Sequence, residues 1–300
     1  MTRVTSVTTL QQLEELRFLW HAHWLRTRGA TTCQSFASYW NWATSGHDRE
    51  MLVLAVWDRA KLVGILPLAR CNRRLGGTPV RLIRFPTPSL VPAMGPVGPE
   101  PTRTWLAVTE FLRRNARYWD VLDLAGIDPA IDAQRVATAA HFKQLTQRRV
   151  ACRSWYRVPL ESSDIDATTS NQLTGFPAAA EPIWEAAKEL GTADQIAVTS
   201  PANPTPQVLR VIRDSACWIV LGVETSAASP ATAKRRTFPS ISVGQLADRA
   251  RQAGATSLWL PASRLRSDRN NGLTRYLILS PRSIRGRLWS WWQRVPGRAA

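Results

Sequence analysis

The stretch that decides the fold is MLVLAVWDRAKLVGILPLARCNRRLGGTPVRLIRF, Met51 to Phe85, which holds three strand-like runs separated by two reversals. The first two apolar runs, Met51 to Trp57 and Leu62 to Ala69, flank a short connection, a pattern typical of a β-hairpin. Gly64 and Pro67 interrupt the second run, and a proline, which lacks an amide hydrogen, belongs on an edge or at a bulge. Two interpretations stay open. The strand is either distorted, with backbone groups free for a ligand, or an ordinary hairpin strand with an incidental proline.

Helical patterns surround this stretch. Thr9 and Gln12 have capping-box spacing at the start of a first helix, and Ser35 to Thr44 has the apolar spacing of a second. After the β region, the sequence predicts a proline-rich loop at Pro86 to Pro101, a helix at Thr102 to Tyr118, a buried strand at Val121 to Ala125 and a helix from about Pro129 to Phe142. This alternation predicts an α/β lobe.

The chain of 300 residues exceeds the usual size of one domain, which favours two lobes. The polar run Glu161 to Thr174 is interpreted as a linker, so we expect an N-terminal lobe at 1–160 and a C-terminal lobe at 176–300. For the second lobe the patterns predict helix Pro177 to Leu190, helix Gln207 to Asp214, strand Cys217 to Glu224, helix Val243 to Ala253, strands Thr256 to Leu260 and Leu273 to Leu279, and a basic helix Ser283 to Arg294.

Composition excludes several classes of protein. No apolar run of 18 residues is free of charge, so no transmembrane helix is predicted. The N-terminus is polar and then amphipathic, unlike a signal peptide, and we expect a cytoplasmic location. The four cysteines form no CxxC pair and the four histidines have no ligand spacing, so neither a disulfide framework nor a metal site is expected.

The formal net charge is +17, and 35 of the 39 basic residues are Arg. A basic surface attracts phosphates, whether in nucleic acid, anionic lipid or a nucleotide-bearing cofactor. Nucleic-acid binding requires basic residues concentrated beside stacking aromatics or on a recognition helix. Because the arginines are dispersed along this chain, nucleic acid is not favoured as a partner.

Four segments together resemble the first half of the CelD/BioF2-like acetyltransferases, which belong to the FemAB-like branch of the Gcn5-related N-acetyltransferase (GNAT) superfamily. In chain order they are CQSFASYW at Cys33 to Trp40, LVGILPL at Leu62 to Leu68, GPVGP at Gly95 to Pro99 and YWDVLDL at Tyr118 to Leu124. The resemblance implies an α/β fold of two tandem GNAT-like lobes with mixed sheets flanked by helices. The second lobe departs from the family pattern and is expected to be divergent or incomplete.

The resemblance also implies an activity, namely transfer of an acyl group from acyl-CoA or a similar activated donor to an amine or hydroxyl of a small-molecule or cell-envelope acceptor. In this superfamily the donor's pyrophosphate lies at a helix N-terminus, where free amides and the helix dipole favour an anion. Ser242, Val243 and Gly244 open such a helix and form the candidate cofactor-binding segment, unless Ser242 merely caps a packed helix. The segment Arg73 to Thr78 is a weaker candidate, because a strand follows it and a tight turn accounts for its glycines.

No catalytic residue is assigned from the sequence. Glu224, Asp268 and Tyr276 are candidates for acid or base chemistry, and the lack of a Ser-His or Cys-His set indicates direct transfer. The rival hypothesis is a non-catalytic GNAT-like protein that docks on an anionic membrane surface or a partner. Its contact would be the Arg- and Trp-rich segment Arg282 to Arg294, at the inner face of the membrane, unless those tryptophans simply close the core.

Overall fold

The computed structural model of the chain describes residues 2–46, 50–75, 77–86, 94–129, 131–161, 170–172, 180–200, 203–214, 217–224, 240–261 and 272–287. Its internal contacts define two compact units. Of the described residues, unit 1 contains those up to Cys152 together with those from Leu273 onward, and unit 2 contains Arg153 to Gly272. The last strand, which the sequence places with the second lobe, therefore lies in unit 1.

Unit 1 is a mixed sheet with helices on both faces. In sheet order its strands are β1 (Thr2–Val7), β2 (Glu50–Asp58), β3 (Lys61–Leu75), β4 (Thr78–Arg84), β5 (Val121–Ile127) and β13 (Gly272–Leu279), numbered along the chain. The β4 and β5 strands are parallel, and the other neighbours in this series are antiparallel. Its helices are α1 (Leu10–Glu15), α2 (Arg17–Leu25), α3 (Phe36–Thr44), α4 (Pro101–Arg114) and α5 (Ala133–Phe142), with short 3-10 helices at Thr32–Gln34 and Ala116–Tyr118.

The predicted N-terminal helices are confirmed, because the Thr9 side chain accepts a hydrogen bond from the Gln12 amide at the start of α1, and Ser35 caps α3 in the same way. The β1 strand was not predicted.

Two consecutive residues of β3 face the two different helical layers of unit 1. Ile65 is fully buried in a core cluster with residues of α1, α2 and α3. Gly64 faces α4 instead, and a Cβ built on it would lie 2.1 Å from the Thr104 Oγ1. Because adjacent strand residues point to opposite faces, α4 covers the face opposite α1 to α3. The glycine of LVGILPL is thus required by the close approach of α4.

The predicted hairpin is present, with Asp58 paired to Lys61 at its turn and Val63 as an extra residue in β3. Pro67 is paired with Val53 in the interior of the hairpin rather than at its end. The backbone groups of Ile65 bond to Val97 and therefore point away from β2. Because residues two apart in a strand direct their backbone groups to the same edge, the Pro67 nitrogen also points away from β2. On that side β4 ends at Arg84, opposite Ala69, so the missing amide hydrogen falls where the ladder is already interrupted.

Unit 2 also contains both parallel and antiparallel strands. Its strands, in sheet order, are the later part of β6 (Gln147–Pro159), β12 (Ser257–Pro261), β10 (Cys217–Glu224), β9 (Asn203–Asp214) and β8 (Ala193–Ser200). β12 is antiparallel to β6 and parallel to β10, and β8, β9 and β10 form an antiparallel meander. Two short strands, β7 (Ser170–Gln172) and β11 (Ser240–Ser242), pair separately, and the helices are α6 (Glu181–Glu189) and α7 (Val243–Gln252).

The two helices of unit 2 lie on opposite faces of its sheet. Leu209 and Val211 of β9 are buried in a cluster with Leu246 of α7. Arg210, between them, reaches the Glu181 carboxylate of α6 at 2.9 Å and lies over the Trp184 ring. The sequence-based helix at Gln207 to Asp214 is therefore wrong. This segment is a strand whose alternate side chains serve two different layers.

Among the residues that the structure describes, no helix is long and apolar enough to cross a membrane.

Candidate functional site

The candidate site is the place in unit 2 where two parallel strands separate. β10 pairs with β12 from Cys217 to Ile219, opposite Ser257 to Trp259, and both strands then continue without further pairs to each other among the described residues. At this point Leu221 is an extra residue relative to β9, which makes a β-bulge. The next residue, Gly222, has a φ of 154°, which residues with a Cβ rarely adopt. The bulge bends β10 where it leaves β12.

The N-terminus of α7 lies at the same edge of this sheet. α7 leads through a short connection into the first residue of β12, and its Leu246, Ala247 and Ala250 pack against the sheet. The helix α7 therefore runs antiparallel to β10 and β12, which places its N-terminus at the carboxyl ends of these two parallel strands. Near its other end, the Arg251 Nε donates a 2.9 Å hydrogen bond to the Leu160 carbonyl, beside the start of β12. The separated ends of β10 and β12 and the first backbone amides of the ten-residue helix α7 therefore lie at the same edge of the sheet.

The predicted cofactor-binding segment falls at this helix start. Ser242 is the last residue of β11 and pairs with Ser170, Val243 is the first residue of α7, and Gly244 is the second. The first amides of a helix have no intrahelical partner, so this turn offers hydrogen-bond donors to an anion. The structure describes the backbone of Ser242 and Val243, and their assignment to a cofactor stays a prediction.

Unit 1 has a similar strand-helix-strand arrangement that is closed by its own chain. β4 and β5 are parallel and pair from Leu82 to Arg84, opposite Val121 to Asp123. Beyond that point, the Ile65 amide donates to the Val97 carbonyl at 2.8 Å and the Val97 amide returns a bond of 2.7 Å. The Met94 amide reaches the Gly126 carbonyl of β5 at 3.0 Å. The chain from Met94 to Val97 therefore occupies the space between β3 and β5, and the hypothesis that β3 keeps free backbone groups for a ligand is wrong at Ile65.

Sequence reasoning missed this closure and the bulge, although each left a signal. The GPVGP segment is part of the family resemblance, and in the structure it carries Val97 between two strands. Gly222 stands alone in an apolar strand pattern, which is a general sign of a bulge or close approach.

The other candidates are distributed differently. Tyr276 lies in β13 of unit 1, where its buried hydroxyl donates to the Ala133 carbonyl at 2.9 Å, and burial raises the pKa of its phenol while Arg149 opposes that shift. It is held in the core and does not belong to the candidate site. Glu224 is the last residue of β10, whereas Asp268 lies outside the described residues.

The segment Arg73 to Thr78 closes the β3–β4 hairpin, where Leu75 pairs with Thr78. The tight turn that the sequence offered as the alternative is thus confirmed. Across the described ranges, no three His, Cys, Asp or Glu side chains converge as a set of metal ligands.

Comparison with known proteins identifies the fold. No protein-family model and no curated protein matches the sequence. Among solved structures, FemX is similar with a TM-score of 0.52 and 9% identity, over 96% of this chain and 99% of FemX. A tandem GNAT protein from the clavulanic acid biosynthesis pathway, in its form without AcCoA, is similar with a TM-score of 0.44 and 12% identity, over 94% of this chain and all of that one.

The fold is therefore of the GNAT class. Within that class it is the FemAB-like fold of two tandem lobes, as the sequence resemblance implies.

Proposed function

We propose that this protein is an acyltransferase and that unit 2 holds an acyl-CoA or similar activated donor at the open end of β10. The observation that carries the proposal is the separation of β10 from β12 at a bulge, on the edge where α7 begins. Unpaired strand amides can bind the extended, amide-containing arm of such a donor, and the first turn of α7 can bind its pyrophosphate. Ser242, Val243 and Gly244 supply that turn.

The transfer would be direct. An amine or hydroxyl of a small-molecule or cell-envelope acceptor forms a bond to the donor's acyl carbon as the carbon–sulfur bond breaks. The proton lost by the acceptor ends on the departing thiolate, so that CoA leaves as the free thiol. In this scheme the protein contributes position and backbone hydrogen bonds, which alone can supply a large part of a rate enhancement. No general base is assigned.

The donor site is tested by placing a proline in the first turn of α7. Gly244→Pro removes one amide donor at a helix position where proline is tolerated. The matched control is Thr102→Pro, which places proline at the same position of α4 in unit 1. Titration of the purified protein with acetyl-CoA should show binding that Gly244→Pro weakens about tenfold and Thr102→Pro leaves unchanged. Equal binding by both variants would rule out the assigned turn, and no binding by the wild-type protein would rule out the donor.

The rival proposal is a non-catalytic protein that contacts an anionic membrane through residues 282–294. The described part of that segment favours it, because Ile284 is 75% exposed and Arg282, Arg285 and Arg287 are exposed beside it. Residues 288–294 lie outside the described residues. Exposed apolar and cationic side chains on one short segment suit a headgroup layer.

Vesicle flotation separates the two proposals. Truncation after Arg287 keeps the described contacts of this segment and removes its three tryptophans. If the full chain floats with phosphatidylglycerol vesicles, the truncated chain does not, and neither binds acetyl-CoA, then the membrane-binding proposal replaces the enzymatic one.

A further inference from the structure

A groove of about 890 Å³ runs along α4 in unit 1, whereas the candidate donor site belongs to unit 2. One side is the α4 stripe of Arg103, Ala107, Glu110 and Arg114, which spans about 16 Å at 1.5 Å per residue. The other parts are the beginning of β1, the tip of the β2–β3 hairpin, and Lys143 after α5. We refer to it as the α4 groove.

The rim of the α4 groove is basic. Four basic side chains, those of Arg59, Arg103, Arg114 and Lys143, line it against one acidic side chain, that of Glu110. At the α5 end, Glu110 is shared by Arg113, Arg114 and Lys143, and the hydrogen bond from Arg113 is the main cause that lowers its pKa to about 2. This end therefore carries three cations around one permanent anion.

The hairpin end carries a cation, Arg59, that is available to a ligand. Arg103 is engaged by Asp58 at 2.6 Å and by Glu100 at 3.4 Å. Arg59 is exposed and forms no ion pair within the described ranges. Arg3 is exposed too, but its side chain points to the face of the sheet opposite α4, because its neighbours Thr2 and Val4 in β1 face α4. Arg59 has a φ of 55° at the hairpin turn, a conformation that places it at the tip beside the groove.

The floor is apolar, formed by Val4, Leu106, Ala107 and Phe111, each partly exposed. Past the far end lies Phe142, which is 73% exposed, with the Lys143 ammonium 5.9 Å from its ring. An exposed apolar strip of this kind, rimmed by charge, is a common feature of ligand-binding grooves. The combination selects for a ligand with one anionic end and an apolar body.

We propose that the α4 groove binds a single-chain anionic amphiphile, with its carboxylate or phosphate at Arg59 and its hydrocarbon chain along Leu106, Ala107 and Phe111 toward Phe142. The anion gains a cation that forms no ion pair within the described ranges, and the chain removes apolar surface from water.

The test uses dodecanoate below its micellar concentration, with dodecyltrimethylammonium as a cation of equal chain length and acetate as an anion without the chain. Calorimetry on the intact chain should detect one dodecanoate site and no comparable binding of the other two probes. Leu106→Asp tests the floor. Arg59→Gly tests the head, and because glycine accepts the positive φ, this variant is expected to fold at least as well as the wild-type protein.

Each variant should weaken dodecanoate binding about tenfold. The matched control, Arg28→Glu, changes an exposed arginine on the loop after α2 and should leave the affinity unchanged. Gly244→Pro should also leave it unchanged, which separates this groove from the donor site.

Three results would overturn the proposal. The first is equal binding of the cationic amphiphile, and the second is retention of full affinity by Arg59→Gly. The third is binding to phosphatidylglycerol vesicles without binding of monomeric dodecanoate, since that would assign the groove to a membrane surface. A loss of dodecanoate binding in Leu106→Asp counts only if circular dichroism shows a native fold, and Arg59→Gly decides the matter if it does not.

Discussion

The Ser283 hydroxyl donates a 2.6 Å hydrogen bond to Oδ1 of Asp120, a carboxylate that is 1% exposed and lies 163 residues earlier in the chain. Asp120 also accepts from the Arg81 backbone amide at 2.8 Å and from Nε and Nη2 of the Arg81 guanidinium at 3.2 and 3.1 Å. The Gly286 amide in turn donates to the Ser283 hydroxyl at 3.0 Å. The YWDVLDL segment and the C-terminal basic segment, two separate sequence features, thus meet at one buried carboxylate of unit 1.

Loss of the Ser283 hydroxyl should destabilise unit 1. Ser283→Ala leaves Oδ1 of Asp120 without one of its buried donors, which costs about 1–3 kcal/mol. The control is Ser6→Ala on the exposed side of β1, which should change the free energy of unfolding by less than about 0.5 kcal/mol. Urea denaturation at pH 7 measures both, and equal effects of the two changes would contradict the role of Ser283.

The same carboxylate makes a pH-dependent contribution to stability. Burial disfavours its charged form, but the hydrogen bonds from Arg81 and Ser283 outweigh burial and hold the pKa of Asp120 below its ordinary value. A lowered pKa in the folded state stabilises the fold above the unfolded-state pKa of about 3.9, and that stabilisation is lost as pH falls through the folded-state pKa.

Asp120→Asn removes this titration. The difference in unfolding free energy between the wild-type protein and Asp120→Asn should therefore be full at pH 7 and should shrink below about pH 4. Denaturation curves of both proteins at pH 7, 5, 4 and 3 check this. A difference that stays constant down to pH 3 would show that Asp120 does not titrate with folding.

The packing of α4 on β3 predicts a specific coupling. Gly64→Ala places a methyl group 2.1 Å from the Thr104 Oγ1, inside a layer where Thr104 is fully buried, and should cost about 1–3 kcal/mol. Thr104→Ala removes that oxygen, although the Thr104 Cβ would remain at 3.2 Å. The double variant should therefore recover part of the loss. A double-mutant cycle measures the coupling, and strictly additive effects would contradict the contact.

Much of unit 1 could be predicted from the sequence because its signals are local. The Thr9 and Ser35 caps, the β2–β3 hairpin and the apolar stripe of α4 each depend on residues within a few positions of one another. The need for glycine at position 64 arises from its contact with Thr104, 40 residues away. The sequence therefore shows the glycine but not the reason for it.

Unit 2 was harder to predict for two physical reasons. The segment Gln207 to Asp214 has apolar residues at both helical and strand spacing, and its true state depends on packing between α6 and α7. The assignment of β13 depends on pairing with β5, where the Arg275 guanidinium binds the buried Asp123 carboxylate at 2.7 and 2.8 Å. No local pattern reports a partner 152 residues away. The candidate site was found only as a helix start, because strand separation is a property of pairing.

The closure of unit 1 predicts one donor site in the whole chain. Met94 to Val97 hydrogen-bonds to both β3 and β5, so an incoming acyl-CoA would have to displace the bonds between Ile65 and Val97, and each broken buried bond costs about 1 kcal/mol or more. The open end of β10 in unit 2 has no such occupant among the described residues. Calorimetric titration with acetyl-CoA should therefore give one site per chain, and Gly244→Pro should weaken all of the binding rather than half of it. Two equivalent sites, or a half-amplitude curve in the variant, would contradict this closure.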